Sequence, residues 1–174
     1  IVNAQRPDLT ICVHYNADDW GDPDHPSLSK HNSRLIIFVN GSYEKSELVY
    51  DDVKYAMLRK VLDRSGPAEE RGCALVGQSM LDQFKYAPDF MPEPMTHHLT
   101  DVPSVFARDL LANRLYHGPV IYCEGPYMNA RDAYYRIIAG DYLGQRTIHG
   151  QSVPSIYRQY ALSVERGVLE YFAK

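Results

Sequence analysis

Two side chains able to do hydrolytic chemistry each close a short apolar run. His14 follows Leu9-Thr10-Ile11-Cys12-Val13, and Glu124 follows Pro119-Val120-Ile121-Tyr122-Cys123. A carboxylate after such a run is costly to bury ionised unless a cation or several hydrogen bonds compensate it, which marks Glu124 for metal or catalytic work. A histidine in the same setting either ligates a metal or bonds a loop carbonyl. Together they have the chemistry of a ligand and a general base at a hydrolytic metal site.

The elements that must position them are strands. Leu9 to His14 is β-branched and apolar, bounded by Pro7-Asp8 and by the polar stretch from Asn16 to Gly21, and Leu35 to Val39 stops at the turn signal Asn40-Gly41. Pro119 to Glu124 reads as a third buried strand. From about Glu47 to Arg64, Val49, Val53, Met57 and Val61 recur at helical spacing, and Gly66-Pro67 ends the pattern. Ser104 to Ala112 reads as a helix. Asn129 and Asp132 form a variant capping box for another, and Tyr157, Ala161, Val164, Val168 and Tyr171 line one face of a closing helix.

Strands apolar on both faces that alternate with helices predict an α/β fold, a mostly parallel twisted sheet flanked by helices on both faces. Ligands collect at the carboxyl ends of strands in such sheets, so His14 and Glu124 would meet at one rim if their strands are parallel neighbours. Residues 1–174 are expected to form a single domain. The stretch from about 67 to 103, with Pro88, Pro92, Pro94 and Pro103, reads as an irregular insertion apart from a short helix within Leu75 to Phe84.

Composition narrows the function. The chain has 18 basic against 22 acidic residues, a net charge of -4, and no clustered basic patch, which excludes the electrostatic footprint of a nucleic-acid binder. No apolar run approaches the ~20 residues of a membrane span. Cys12, Cys73 and Cys123 are too few for a disulfide framework.

The other histidines make poor metal ligands. His25 and His31 fall in the loop after the first strand, His97 and His98 are adjacent and diverge, His117 precedes the Glu124 strand at its far end, and His149 sits in a Gly-rich turn. The acidic loop Asn16 to Asp24 lacks the terminal bidentate glutamate of a calcium loop and reads as a solvated loop near the cleft. Tyr15, Tyr127 and Trp20 could stack on sugar or peptide faces.

Ile1-Val2-Asn3, Pro7-Asp8-Leu9 and Ile11-Cys12-Val13-His14-Tyr15-Asn16-Ala17 resemble the part of the zinc-dependent N-acetylmuramoyl-L-alanine amidases where a strand leads into a zinc-binding histidine followed by x-Asn-Ala. Arg114 to Asn129 is similar to that family's arginine, proline, apolar strand, catalytic glutamate, glycine-aromatic turn and asparagine. Tyr160-Ala161 to Tyr171 resembles its closing helix. The middle, about Gly72 to Val102, is unmatched.

The resemblance implies zinc as cofactor, His14 as a zinc ligand, Glu124 as the catalytic glutamate, and Arg114 as a substrate or transition-state contact, with a structural arginine at the sheet rim as the alternative. It also implies peptidoglycan as substrate, cleavage between N-acetylmuramic acid and L-alanine, and a periplasmic or extracellular location. The family's other two zinc ligands lie upstream of the first matching residue, so the chain reads as the C-terminal portion of the catalytic domain with a missing N-terminal segment of the same protein. Two rivals stand beside this reading: a non-catalytic peptidoglycan-binding or regulatory module, and a zinc peptidase or deacylase.

Overall fold

The computed structural model describes residues 1–88 and 97–173. In chain order the elements are β1 (Thr10–Asn16), β2 (Arg34–Asn40), α1 (Asp51–Asp63), α2 (Gly66–Phe84), β3 (Ala87–Pro88), β4 (Val105–Arg108), α3 (Leu111–Leu115), β5 (Val120–Tyr127), α4 (Arg131–Ile138), β6 (Gln145–Ile148), β7 (Gln151–Pro154) and α5 (Ile156–Phe172). β1, β5 and β2 lie side by side, and the far edge of β2 is taken by β3 and then β4. The β1–β5, β2–β3 and β2–β4 pairs are parallel, and β2–β5 is antiparallel. The sheet is therefore mostly parallel, as its doubly apolar strands predict. β6 and β7 form a separate hairpin.

Alternation along the strands divides the core in two. Leu35, Ile37, Val39, Val105, Ala107, Ile121 and Cys123 pack under α2 and α5 against Cys73, Val76, Met80, Ile156 and Tyr160. Ile36, Phe38 and Phe106 lie on the opposite face with Tyr122 and Leu110. There α3 follows Leu110, and the Asn113 amide donates to the Phe38 carbonyl at 3.1 Å. Helices thus flank both faces, but part of the second face is left to Tyr122, Glu124 and the end of β1.

Small residues let α2 and α5 meet at backbone distance. A Cβ on Gly167 would lie 2.6 Å from Val76 Cα, so no larger residue fits without separating the helices. At the start of β5, Lys60 donates to Glu69 and to the Gly118 carbonyl, while the Val120 N–H donates to the same Glu69 oxygen at 3.1 Å. Burial raises the Glu69 pKa, and the Lys60 charge opposes that shift.

Several sequence expectations are corrected. The 67–103 stretch begins with the 19-residue helix α2, which supplies much of the core. Pro67 stands in its first turn, where proline is accepted, and its buried Gly72, Cys73 and Gly77 are too small to write a strong apolar period. Pro92 and Pro94 lie outside the described residues. Of Ser104 to Ala112 only Leu111 and Ala112, the start of α3, are helical: Val105, Phe106 and Ala107 are buried on both faces of β4, and so short an apolar run has no diagnostic period.

In α1 the inward residues are Val53, Ala56 and Lys60, while Val49 and Val61 are exposed, because the ion pair with Glu69 turns the Lys60 side inward. Asn129 does not cap α4. The N-cap is Ala130, with no side-chain cap bond, and Asn129 is engaged elsewhere.

Candidate active site

His14 and Glu124 are register partners in the parallel β1–β5 pair. Cys12 and His14 on β1 and Tyr122 and Glu124 on β5 alternate onto the second face, away from α2 and α5. The His14 ring stacks on Tyr122, with centroids 4.8 Å apart and planes 23° apart. Burial raises the Tyr122 pKa, with the Glu124 charge adding to the shift. An imidazole, a carboxylate and a phenol therefore share one patch of the sheet, one strand spacing across.

The same two strands are held from below. The Tyr160 hydroxyl on α5 lies 2.8 Å from the His14 carbonyl and 3.2 Å from that of Cys123, sharing its proton between them. Gly125 makes room for this contact, since a Cβ there would lie 2.5 Å from the Tyr160 ring.

The loop after β1 is docked onto the turn after β5. The Asn129 amide donates to the Asp18 carbonyl at 2.7 Å and accepts the Asp18 N–H at 2.9 Å. The Asp18 carboxylate accepts from Ser29 Oγ at 2.6 Å, and Asp132 accepts the Ser33 N–H at 3.0 Å. The Ser29 bond comes first among the causes that lower the Asp18 pKa; the Asp19 N–H and the charges of His31 and Arg34 act in the same direction. Asn129 has no exposed surface, so its reciprocal bonds meet the requirement that buried polar groups be paired.

Arg114 is held by partners of its own. It lies on α3, its guanidinium is 3.7 Å from Asp109, and its carbonyl accepts from Arg59. The asparagine of the N-terminal resemblance, Asn3, ties the chain start to this end by donating to the Leu115 carbonyl and accepting the His117 N–H. His98 packs on Phe106 and His149 on Tyr135, while His25 and His31 are exposed. Among the described residues no group of three or more His, Cys, Asp or Glu side chains could hold a metal ion. His14 and Glu124 supply one imidazole and one carboxylate, short of the three protein ligands of a catalytic zinc.

Two features escaped the sequence reading. The stripe of Tyr157, Ala161, Val164 and Val168 closes onto the core only in part: Val164 and Val168 pack against it, and the outer side of the stripe, with Ile11, Val13 and Tyr15, walls an apolar groove of about 500 Å³ beside β1. β1 is the edge strand there, and Val13 is 57% exposed. The second feature is Arg34. Ile36 is the register partner of Glu124 across the antiparallel pair, and alternation puts Arg34 on the same face two residues away. Only the pairing of β2 with β5 brings it near Glu124; the polar start of the Leu35 to Val39 run was its one local signal.

No family model and no curated protein matches the sequence. Solved structures do. The N-acetylmuramyl-L-alanine amidase Ami1 from Mycobacterium abscessus, in its apo form, aligns with a TM-score of 0.52 and 13% identity over 98% of this chain and 57% of its own. Cwp6 from Clostridium difficile aligns with a TM-score of 0.52 and 13% identity over 99% of this chain and 19% of its own. The chain thus spans a little over half of the one and about a fifth of the other. At these identities the likeness is one of fold, and the fold is amidase-like.

Proposed function

We propose that the protein takes part in zinc-dependent hydrolysis of the amide bond between N-acetylmuramic acid and L-alanine in peptidoglycan, outside the cytoplasm. The observation that carries this reading is the pairing of His14 with Glu124 in register on the second face of the sheet. The amidase-like fold supports the substrate class.

In this proposal His14 is a zinc ligand contributed by the chain, and the other ligands come from residues other than those described. Among the described residues β1 is an edge strand with an apolar groove beside it, and a segment laid over both would bury them, which supports such an arrangement. Bound zinc would supply Lewis-acid polarisation of the amide carbonyl and of water. Glu124 takes a proton from the attacking water onto its carboxylate and returns it to the leaving alanine nitrogen. Tyr122 fixes the plane of the His14 ring by stacking, and the Tyr160 hydroxyl holds the two strands at constant separation. For Arg114 the ion pair with Asp109 supports the structural role at the sheet rim.

The test uses the complete zinc-loaded protein on purified cell wall. One zinc per chain and release of stem peptide with a new L-alanine amino terminus are expected. Glu124→Gln should keep the zinc and lose about 10²–10⁴-fold in rate. His14→Ala should lose the zinc. A non-catalytic peptidoglycan-binding module is the second reading, favoured by the incomplete ligand set among the described residues. Cell-wall binding without zinc or turnover would establish it and overturn the first.

A further inference from the structure

A cleft runs between α4, the β6–β7 hairpin and the segment after α2, on residues that take no part in the His14 and Glu124 patch. Its two halves enclose about 240 and about 390 Å³ and share Asn32, Asp132, Arg136, Gln151 and Val153 at the waist. Together they reach the roughly 300–1,000 Å³ of small-molecule sites. Rings line both ends: Tyr135 and His149, with centroids 4.0 Å apart, in one half, and Phe84 stacked on Tyr86 at 5.3 Å in the other.

The waist holds a cation without a counter-ion. Arg136 is 8% exposed, and among the described residues no carboxylate stands within ion-pair distance of it. Its guanidinium donates through Nη1 to the Tyr86 hydroxyl at 3.3 Å and through Nη2 to the Pro154 carbonyl at 3.1 Å and to the Gln159 side chain. All three acceptors are neutral, and the Nε–H meets none. A buried charge is ordinarily paired, and neutral acceptors offset only part of its lost hydration. Asp132, the one carboxylate among the described lining residues, directs both oxygens at the Ser33 N–H, at 3.0 and 3.3 Å. Arg131 adds a second guanidinium to the wall, so two arginines face one aspartate that is engaged elsewhere.

Donors remain at the waist as well. Nη1 has a second hydrogen beyond the one given to Tyr86. The Tyr86 phenol accepts from Arg136 and keeps its own proton, because burial first and the Asp132 charge second raise its pKa to about 12. The amides of Asn32 and Gln151 are exposed on the same wall.

We propose that this cleft binds a small carboxylate ligand, its acid group at the Arg136 waist and its body against one of the aromatic ends. The carboxylate accepts from Nη1 and from the Tyr86 hydroxyl and supplies the charge that the guanidinium lacks. An acidic sugar and the free end of a short peptide both carry such a group. The charge requirement does not rest on the amidase reading, since neither zinc nor Glu124 enters it.

Two matched pairs of probes, titrated calorimetrically into the protein, test it: N-acetylmuramic acid against its methyl ester, and N-acetyl-alanyl-alanine against its C-terminal amide. For at least one pair the free acid should bind about tenfold or more tightly, the value of a charge-assisted hydrogen bond. The pair that shows the preference identifies the source, sugar or peptide. Arg136→Gln should remove it. Because that change also strips bonds from Tyr86, Pro154 and Gln159, Gln151→Glu gives a second test by placing a like charge on the exposed wall. It should weaken the acid about tenfold, leave the neutral form unchanged and keep the melting midpoint within a few degrees. Acid and neutral forms bound alike or not at all, or an acid that binds Gln151→Glu as tightly as the wild type, overturn the proposal.

Discussion

The Tyr160 hydroxyl reaches the His14 carbonyl at 2.8 Å. It comes from α5, on the face opposite the His14 ring, and touches the Cys123 carbonyl as well, one residue before Glu124. A helix near the end of the chain therefore fixes the spacing of two strands that begin more than a hundred residues apart.

Gly125 and Tyr160 should accordingly be sensitive. Gly125→Ala puts a methyl into the Tyr160 ring and is expected to cost about 1–3 kcal/mol by overpacking. Tyr160→Phe removes only the shared hydrogen bond and should cost about 0.5–1.5 kcal/mol. Urea denaturation gives both values. Two variants as stable as the wild type would show that α5 does not set the strand spacing.

The Lys60–Glu69 pair, with side chains 4% and 1% exposed, tests a different link, the anchoring of the start of β5. Glu69→Gln should lower stability by about 3–5 kcal/mol, since it strands a buried ammonium. The double change Lys60→Met with Glu69→Leu should recover much of that loss. If the double variant is the less stable of the two, burial of the charges is not the cause.

The Asp18 carboxylate is held below its ordinary pKa, first by the Ser29 hydroxyl. Its folded value is lower than its unfolded one of ~3.9, so docking of the loop is fully stabilised above that pH and loses the contribution as pH falls through the folded value. Carboxyl NMR should show Asp18 titrating below ~3.9, with Ser29 amide shifts following it and the response absent in Asp18→Asn. An Asp18 midpoint at or above the ordinary value would refute the clamp.

The apolar groove makes a prediction about what covers β1. In the 174-residue chain Val13→Asp should change stability by no more than about 0.5 kcal/mol, because Val13 is 57% exposed. If further residues cover β1 as proposed, the same change should cost on the order of 2 kcal/mol or more in a chain that carries them. Equal, small effects in both would mean that the groove stays open.

What the sequence by itself determined is local: which runs are buried strands, and that an imidazole and a carboxylate close two of those apolar runs. The apolar runs located β1, β2 and β5, but β1 continues past His14 to Asn16 and β5 past Glu124 to Tyr127, so the polar residue that closes an apolar run does not mark the end of the strand. The helix α2 was hidden because glycines that permit close packing carry no hydrophobic period, and the short run of β4 read as helix for want of one.

Only the tertiary structure decided the neighbours. Strand order and register made His14 and Glu124 partners, put Arg34 on the same face, sent Arg114 to Asp109, and left the outer side of the α5 stripe along an open groove while Val164 and Val168 meet the core. These are non-local pairings between segments far apart in the chain. Each is fixed by how whole faces pack, which no single window of sequence contains.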